Sequence, residues 1–285
     1  MTESEAVRAR FSWYRDDIEA KLGLRGGQFT RVNTLLSAII ASVATVAFYA
    51  LLSMVPKSTF AQVFTQRGIF QYIEVFVSFW ALAIVLIKWS KVRVQRRALE
   101  FKDLVPIEAD FVLSPGTVGQ VLDRLRRECD DPRRYILFSR IELALSNLKN
   151  MGRVGDLDDV LQSQAGNDED VMESSYSLVK GLIWAIPVLG FVGTVQGLSA
   201  AIGQFGGVLS QATDIAELRP ALRGVTAGLS TAFDTTFVAL IAALSVQLLL
   251  VMIRKSEEEM MDACKNYCQR NLVGRLRLTL FERTE

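Results

Sequence analysis

The sequence predicts an all-α membrane protein with four membrane-spanning helices and a helical domain between the second and the third. Half of the 285 residues are hydrophobic and 22% are charged. Charges are nearly absent from four stretches, each of which reaches the roughly 20 residues that cross the apolar core of a bilayer. A helix in a water-soluble core has no need to be apolar on every face. The four stretches are 32–55, 69–89, 181–202 and 224–253.

The composition excludes several classes of protein. The chain has no histidine, which rules out Ser-His-Asp and Cys-His catalysis and histidine-ligated metal sites. A net charge of +1 is too low for a typical nucleic-acid binder. We find no phosphate loop, metal-ligand cluster or nucleophile elbow, so the sequence predicts neither an enzyme nor a cofactor. Cys264 and Cys268 share a helix face and are predicted to be packing residues in a reducing compartment.

Basic residues set the expected orientation of the spans. The first span begins after 31 residues and is too long for the apolar region of a signal peptide. Lysines and arginines are frequent before it, in the segment 90–177 and in the tail, and they are few in the links 56–68 and 203–223. The positive-inside rule therefore places both termini and the long segment in the cytoplasm.

We divide the chain into five regions on this basis. Aromatic and aliphatic residues alternate with charges in the first region, which predicts an amphipathic helix on the inner membrane face (Phe11, Trp13, Tyr14, Ile18, Leu22). The regions are an N-terminal segment (1–31), spans one and two (32–89), a cytoplasmic helical domain (90–177), spans three and four (178–253) and a C-terminal helix (254–285).

The cytoplasmic domain is predicted to be several helices separated by Pro106, Pro115 and Pro132. The acidic run 167–170 is expected to start the next helix along the chain. The charged run 124–134 is interpreted as a solvated surface, with docking of a cytoplasmic partner as the alternative. The fourth span is expected to continue into the tail as one long helix. Two apolar helical faces are expected in this domain (Val118, Val121, Leu122, Leu125; Ile136, Leu137, Ile141, Leu145, Leu148).

The third span combines small residues with a proline. Gly190, Gly193 and Gly197 recur at a spacing that lets two helices approach closely in lipid. Pro187 frees a backbone carbonyl and permits a bend. Thr194 lies within this region of small residues.

The fourth span carries an acid and several hydroxyls. Thr231, Asp234 and Thr235 fall on one helix face, and Thr236 lies about 100° from Thr235. An acid at mid-bilayer costs about 2.5–3.5 kcal/mol, so such a residue normally faces a bundle interior or a water-filled path. Asp234 is therefore a candidate functional residue. The alternative is that it lies near the outer headgroups and only caps or solvates the helix.

The hydroxyls of Thr194 and Thr236 are predicted to lie at a similar depth in the membrane. About 24 Å of helix separates Leu178 from Thr194, and about 26 Å separates Thr236 from Ile253. Two hydroxyls at one height, repeated around an oligomer, would form a polar ring that holds water or passes a proton. The alternative for each threonine alone is a hydrogen bond to its own helix.

At these residues the sequence resembles the MotA/TolQ/ExbB proton channel family. The resemblance rests on AIPVLGFVGTVQGL (185–198) and GLSTAFDTTFVALIAAL (228–244) and covers about 175–255. Four spans with an inside N-terminus look more like the flagellar-stator branch than the three-span branch. The resemblance implies a homopentamer around a dimer of a single-span MotB/TolR/ExbD-like protein that carries a membrane aspartate.

The resemblance also implies roles for individual residues. Thr194 matches the pore threonine of the third span, and Pro187 matches the hinge proline. Thr236 best matches the pore threonine of the fourth span, with Thr235 left open by its helix face. Some relatives have a glutamate five residues before this threonine, where Thr231 stands here. Asp234 replaces that acid, or the partner supplies the only titrating carboxylate.

The function expected from the sequence is therefore the pore-forming stator subunit of a proton-driven motor. The coupling ion is expected to be H⁺ rather than Na⁺, because we see no carbonyl-rich sodium cage. Two alternatives stay open, a non-conducting membrane scaffold and a subunit of a solute transporter, although no inverted repeat supports the latter. The process that is powered stays open among flagellar rotation, gliding, outer-membrane energisation, uptake and phage defence.

Overall fold

The described residues of the chain form ten α-helices. The structure, a computed structural model, describes residues 10–23, 26–65, 68–101, 104–105, 113–114, 116–148, 154–209 and 215–276. The helices are α1 (Trp13–Asp16), α2 (Ile18–Lys21), α3 (Thr34–Ser53), α4 (Thr59–Thr65), α5 (Ile69–Leu99), α6 (Val118–Glu128), α7 (Ile136–Asn147), α8 (Val154–Ser175), α9 (Ser177–Leu209) and α10 (Ile215–Asn271). Short 3₁₀ turns lie at Pro132–Arg134 and Val273–Arg275.

The four predicted spans are confirmed as long apolar helices, and the chain is a multi-pass membrane protein. Stretches within α3, α5, α9 and α10 are long and apolar enough to cross a membrane. The chain divides into two compact units. The membrane unit comprises Thr34–Leu86 and Ser177–Val251, and the non-membrane unit comprises Met1–Asn33, Ile87–Tyr176 and Met252–Glu285.

The helices α9 and α10 are longer than the predicted spans. α10 continues through the tail as predicted, as one helix of 57 residues. The predicted link over 203–223 is helical at both ends, because α9 extends to Leu209 and α10 begins at Ile215. The residues before the fourth span include Ala, Glu, Leu and Arg, which are strong helix formers. Pro220 lies inside α10 close to its start.

In the membrane unit, the first two spans contact each other through a polar pair. The indole nitrogen of Trp80 donates a hydrogen bond of 3.0 Å to the Ser37 hydroxyl. Gly68, which precedes α5, has a φ of +85°, a conformation that glycine adopts without steric cost. The turn at Gly68 therefore permits α5 to begin directly at Ile69.

The N-terminal segment is not one amphipathic helix, and that expectation is wrong. Asp17 has an extended backbone and accepts a hydrogen bond from the Ala20 amide, so it ends α1 and caps α2. Phe11 and Trp13 are buried, whereas the other three apolar residues of the expected face are exposed (Tyr14, Ile18, Leu22). The Phe11 ring packs against a cluster of aromatic rings in the non-membrane unit (Phe101, Tyr135, Phe138).

The acidic run 167–170 does not start a helix, and that expectation is also wrong. The run lies inside α8, which begins at Val154. Within it Asp168 pairs with Arg140 of α7 at 2.7 Å, and both side chains are 2% exposed. A buried charge is tolerated only when it is paired, so this contact fixes α8 against α7.

The charged run 124–134 is solvated only in part. Asp130 accepts hydrogen bonds from the Ser12 hydroxyl at 2.8 Å and from the Trp13 amide at 3.0 Å. The run therefore anchors the N-terminal segment. Of the predicted apolar faces, Leu122 is half-buried and the others are buried. Of the expected helix breaks, Pro106 and Pro115 lie outside the described residues.

Two lysines of α5 are buried in the non-membrane unit. Lys91 Nζ lies 2.6 Å from Glu19 Oε2, which joins α5 to α2. Lys88 Nζ lies 3.2 Å from Glu257 Oε2, which joins α5 to α10. Both ion pairs are almost fully shielded from solvent, with every side chain at most 1% exposed.

Candidate ion pathway in the membrane unit

The third and fourth spans pack against each other through small residues. Residue numbers rise along one helix as they fall along the other, so the two helices are antiparallel. Small residues at three- and four-residue intervals remove the side-chain bulk that would hold the backbones apart. The facing pairs are Gly190 with Ala239, Gly193 with Thr235, Gly197 with Ala232, and Ala201 with Gly228.

The approach is closest at two of these pairs. A Cβ atom placed on Gly190 would lie 2.5 Å from the Cβ of Ala239. A Cβ atom placed on Gly228 would lie 2.6 Å from the Cβ of Ala201. Neither glycine can gain a side chain unless the helices move apart.

This close approach brings the hydroxyls of Thr194 and Thr236 into direct hydrogen-bond contact. The Thr194 hydroxyl also lies 2.9 Å from the Ala232 carbonyl oxygen and 3.1 Å from that of Gly190. The Thr236 hydroxyl lies 3.0 Å from the same Gly190 oxygen. Each hydroxyl has one proton to donate, and several oxygens compete for it. The two protons can therefore be arranged in more than one way without moving a heavy atom.

Pro187 lies inside α9. Gly190 follows it by about one turn, and Thr194 follows Gly190 by one more turn. A proline has no N–H, so the carbonyl one turn earlier loses its helical donor. The carbonyl that Pro187 frees is that of Ile183. The Gly190 carbonyl, which lies after the proline, is within hydrogen-bond distance of both threonine hydroxyls. The middle of α9 thus carries several polar backbone groups.

The remaining predicted site residues of the fourth span, Thr235, Asp234 and Thr231, are close in sequence to Thr236 but differ from it in burial and contacts. Thr235 is 2% exposed, and its hydroxyl donates to the Ala232 carbonyl at 2.8 Å while its side chain packs on Gly193. Thr235 therefore serves helix packing within one chain. Asp234 is half-buried. The side chain of Thr231 lies outside the described part.

Sequence reasoning placed Thr194 and Thr236 at one height but did not predict that they touch. The sequence did contain a signal for this contact, namely the small residues on both spans. Where they face each other, they set how each helix is rotated about its axis as well as its depth. Sequence reasoning also missed two buried polar residues of α5, Gln71 and Glu74. Glu74 was visible as an acid in an apolar span, but its burial depends on the neighbouring helices.

Large apolar side chains cover the remaining surface of these two spans. Phe191, Phe233 and Phe237 each expose 60% or more of their surface in the single chain. Lipid or further protein chains must cover such a surface. Among the described residues, no group of three or more His, Cys, Asp or Glu side chains could hold a metal ion.

Comparisons with known proteins agree with the resemblance noted in the sequence. Residues 129–266 match the family model described as the MotA/TolQ/ExbB proton channel family. The match includes α9 and the Thr194–Thr236 contact. Neither the curated proteins nor the solved structures contain a match to this chain.

Proposed function

We propose, from the match of residues 129–266 to the MotA/TolQ/ExbB proton channel family, that the chain is a member of this family. Its proposed role is the pore-forming stator subunit of a proton-driven motor in the bacterial inner membrane. It converts proton motive force into mechanical work together with a dimer of a single-span MotB/TolR/ExbD-like protein. An elementary charge that crosses 100 mV yields about 2.3 kcal/mol, so a working cycle needs several protons.

The observation that carries this proposal is the contact between the Thr194 and Thr236 hydroxyls. A chain of hydroxyls and water that can both donate and accept is what proton transfer requires. Two facing hydroxyls with shared carbonyl acceptors supply such a group in an apolar helix pair. The family match supports proton channel function for the region that contains this pair.

The pathway is proposed to form when five copies assemble around the partner helices. The exposed phenylalanines of α9 and α10 support assembly, because they leave a broad apolar surface for other chains or lipid. Thr194 and Thr236 then line the interior, and Thr235 keeps the two helices in register. The titrating acid is Asp234 or the partner's membrane aspartate, and the coupling ion is H⁺.

A non-conducting scaffold is the second candidate. It is favoured by one observation, that the oxygens of Gly190 and Ala232 within the same chain provide hydrogen-bond acceptors for both threonine hydroxyls. In a scaffold these hydroxyls would only hold α9 against α10.

Proton flux into vesicles distinguishes the two candidates. The chain is co-expressed with its single-span partner, and flux is measured for the wild type and for Thr194→Val combined with Thr236→Val. A channel loses most of its flux, because valine keeps the shape and removes both hydroxyls. Thr45→Val is the matched control, since the Thr45 hydroxyl donates a hydrogen bond of 2.7 Å to the Ala41 carbonyl of its own helix. Unchanged flux in the double variant would contradict the proposal.

A further inference from the structure

The first turns of α5 carry two polar side chains that are shielded from solvent. Gln71 is 0% exposed and Glu74 is 1% exposed. They are one turn apart, so they lie on the same face of the helix. Both belong to the membrane unit, where water is scarce.

Among the described residues, three of the four polar side-chain atoms of this pair lack a hydrogen-bond partner. Gln71 Nε2, Gln71 Oε1 and Glu74 Oε1 make no hydrogen bond within the described part of the chain. A buried polar group without a partner costs several kcal/mol in an apolar medium, about 2–7 kcal/mol for an amide. Two other buried polar residues described in this unit are paired, Ser37 with the Trp80 indole and Thr235 with the Ala232 carbonyl. The Gln71–Glu74 pair therefore points to a ligand that satisfies it.

The neighbouring groups supply no positive charge to this site. No lysine or arginine forms an ion pair with Glu74 among the described residues. Tyr49 lies near Glu74, and its ring centroid is 4.6 Å from that of Tyr72, with the two rings tilted. Their hydroxyls lie near the carbonyl oxygens of Phe64 and Thr65, at 3.5 Å and 3.4 Å. An ionised Glu74 would thus be alone in apolar surroundings, where a carboxyl group neutralises instead.

The oxygen atoms that Gln71 and Glu74 offer are too few to bind a metal cation. Hard cations take about six oxygen ligands, and this pair offers only one carboxylate and one amide oxygen. A proton needs a single oxygen, and the amide supplies both an acceptor and a donor for the protonated acid and a bound water.

We propose that Gln71 and Glu74 form a proton-binding site on α5, with the proton on the Glu74 carboxyl group and a water molecule bound by the Gln71 amide. The site lies close to the candidate pathway, since Phe70 Cβ is 3.8 Å from where a Cβ on Gly193 would stand, next to Thr194. The inference rests on burial and missing partners, so it stands or falls independently of proton conduction by the chain.

Infrared spectroscopy of the full-length chain in lipid vesicles at neutral pH tests this site. The wild type should show the carbonyl stretch of a protonated carboxyl group, which shifts on exchange into heavy water. Glu74→Gln should abolish this band, and Gln71→Leu should shift it because the hydrogen-bond partner is lost. Glu169→Gln is the control, because Glu169 is exposed on α8, and this variant should leave the band in place. Identical bands in the wild type and in Glu74→Gln would overturn the proposal.

A second measurement needs no variant. Dicyclohexylcarbodiimide reacts with protonated carboxyl groups in apolar surroundings, and mass spectrometry locates the adduct on the wild-type chain. An adduct on Glu74 at neutral pH supports the site. Labelling that occurs only at other carboxyl groups would contradict it.

Discussion

The Cβ atom that an alanine would place at Gly190 lies 2.5 Å from the Cβ atom of Ala239. Real Cβ atoms do not approach so closely, so the spacing between the third and fourth spans depends on the absence of a side chain at Gly190. The same spacing holds the Thr194 and Thr236 hydroxyls in contact. Packing and the candidate pathway are therefore coupled at this point.

Gly190→Ala is expected to destabilise the membrane unit by about 1–3 kcal/mol, because an extra methyl group forces the two helices apart. Thermal unfolding in detergent measures the loss. Ala239→Gly in the same chain removes the opposing methyl group and should restore most of the stability. Gly181→Ala is the control on the same helix, since its Cβ would meet no atom within 4 Å. Equal effects of Gly190→Ala and Gly181→Ala would count against this packing.

Lys88→Met is expected to destabilise the non-membrane unit by about 3–5 kcal/mol, because it leaves the Glu257 charge buried without its partner. Glu257 lies 3.2 Å from Lys88 Nζ, and the Tyr176 hydroxyl also donates to it. Replacing both partners, as in Lys88→Met with Glu257→Gln, should cost less than the single change. Chemical denaturation followed by tryptophan fluorescence gives the comparison.

The control for this pair is Arg254→Met, which breaks the two exposed contacts of Arg254 with Glu258 and Glu173. Exposed ion pairs contribute about 0–1 kcal/mol, so this variant should remain close to the wild type. A double variant at Lys88 and Glu257 that is less stable than the single one would show that the pair is not the source of the effect.

The three cysteines are expected to resist alkylation in the folded chain at pH 8. All three are buried, and burial raises the pKa of the Cys264 thiol to about 12 and that of Cys129 further. A raised thiol pKa means that the reactive thiolate is scarce at pH 8 and forms only as the pH approaches that pKa. Mass spectrometry after iodoacetamide treatment should find unmodified chain, and all three sites should react after unfolding.

Asp170→Cys provides the positive control for alkylation, because position 170 is exposed on α8. This introduced thiol should react rapidly in the folded protein. Rapid native labelling of Cys129, Cys264 or Cys268 at the same rate would show that the packing around them is wrong.

The membrane helices could be predicted from the sequence because each is an apolar run long enough to cross a bilayer. The continuation of α10 to Asn271 was also predictable from its helical spacing. The N-terminal segment was not, because a single cap at Asp17 divides it and a distant aromatic cluster buries Phe11. The prediction that the run containing Asp168 starts a helix failed for a similar reason. The role of Asp168 depends on Arg140, which is 28 residues away in the sequence.

The candidate site was predictable in depth but not in detail. Counting residues from the inner end placed Thr194 and Thr236 at one height. Whether they touch depends on the rotation of each helix, which the Gly190–Ala239 contact sets. The burial of Gln71 and Glu74 depends on neighbouring helices and has no local signature in the sequence.

A cryo-electron microscopy map of the chain co-expressed with its single-span partner tests the central proposal most directly. The account predicts five copies around two partner helices, with Thr194 and Thr236 facing the interior at the level of the partner's aspartate. A map in which these two threonines face the lipid, or in which a single copy encloses nothing, would contradict it.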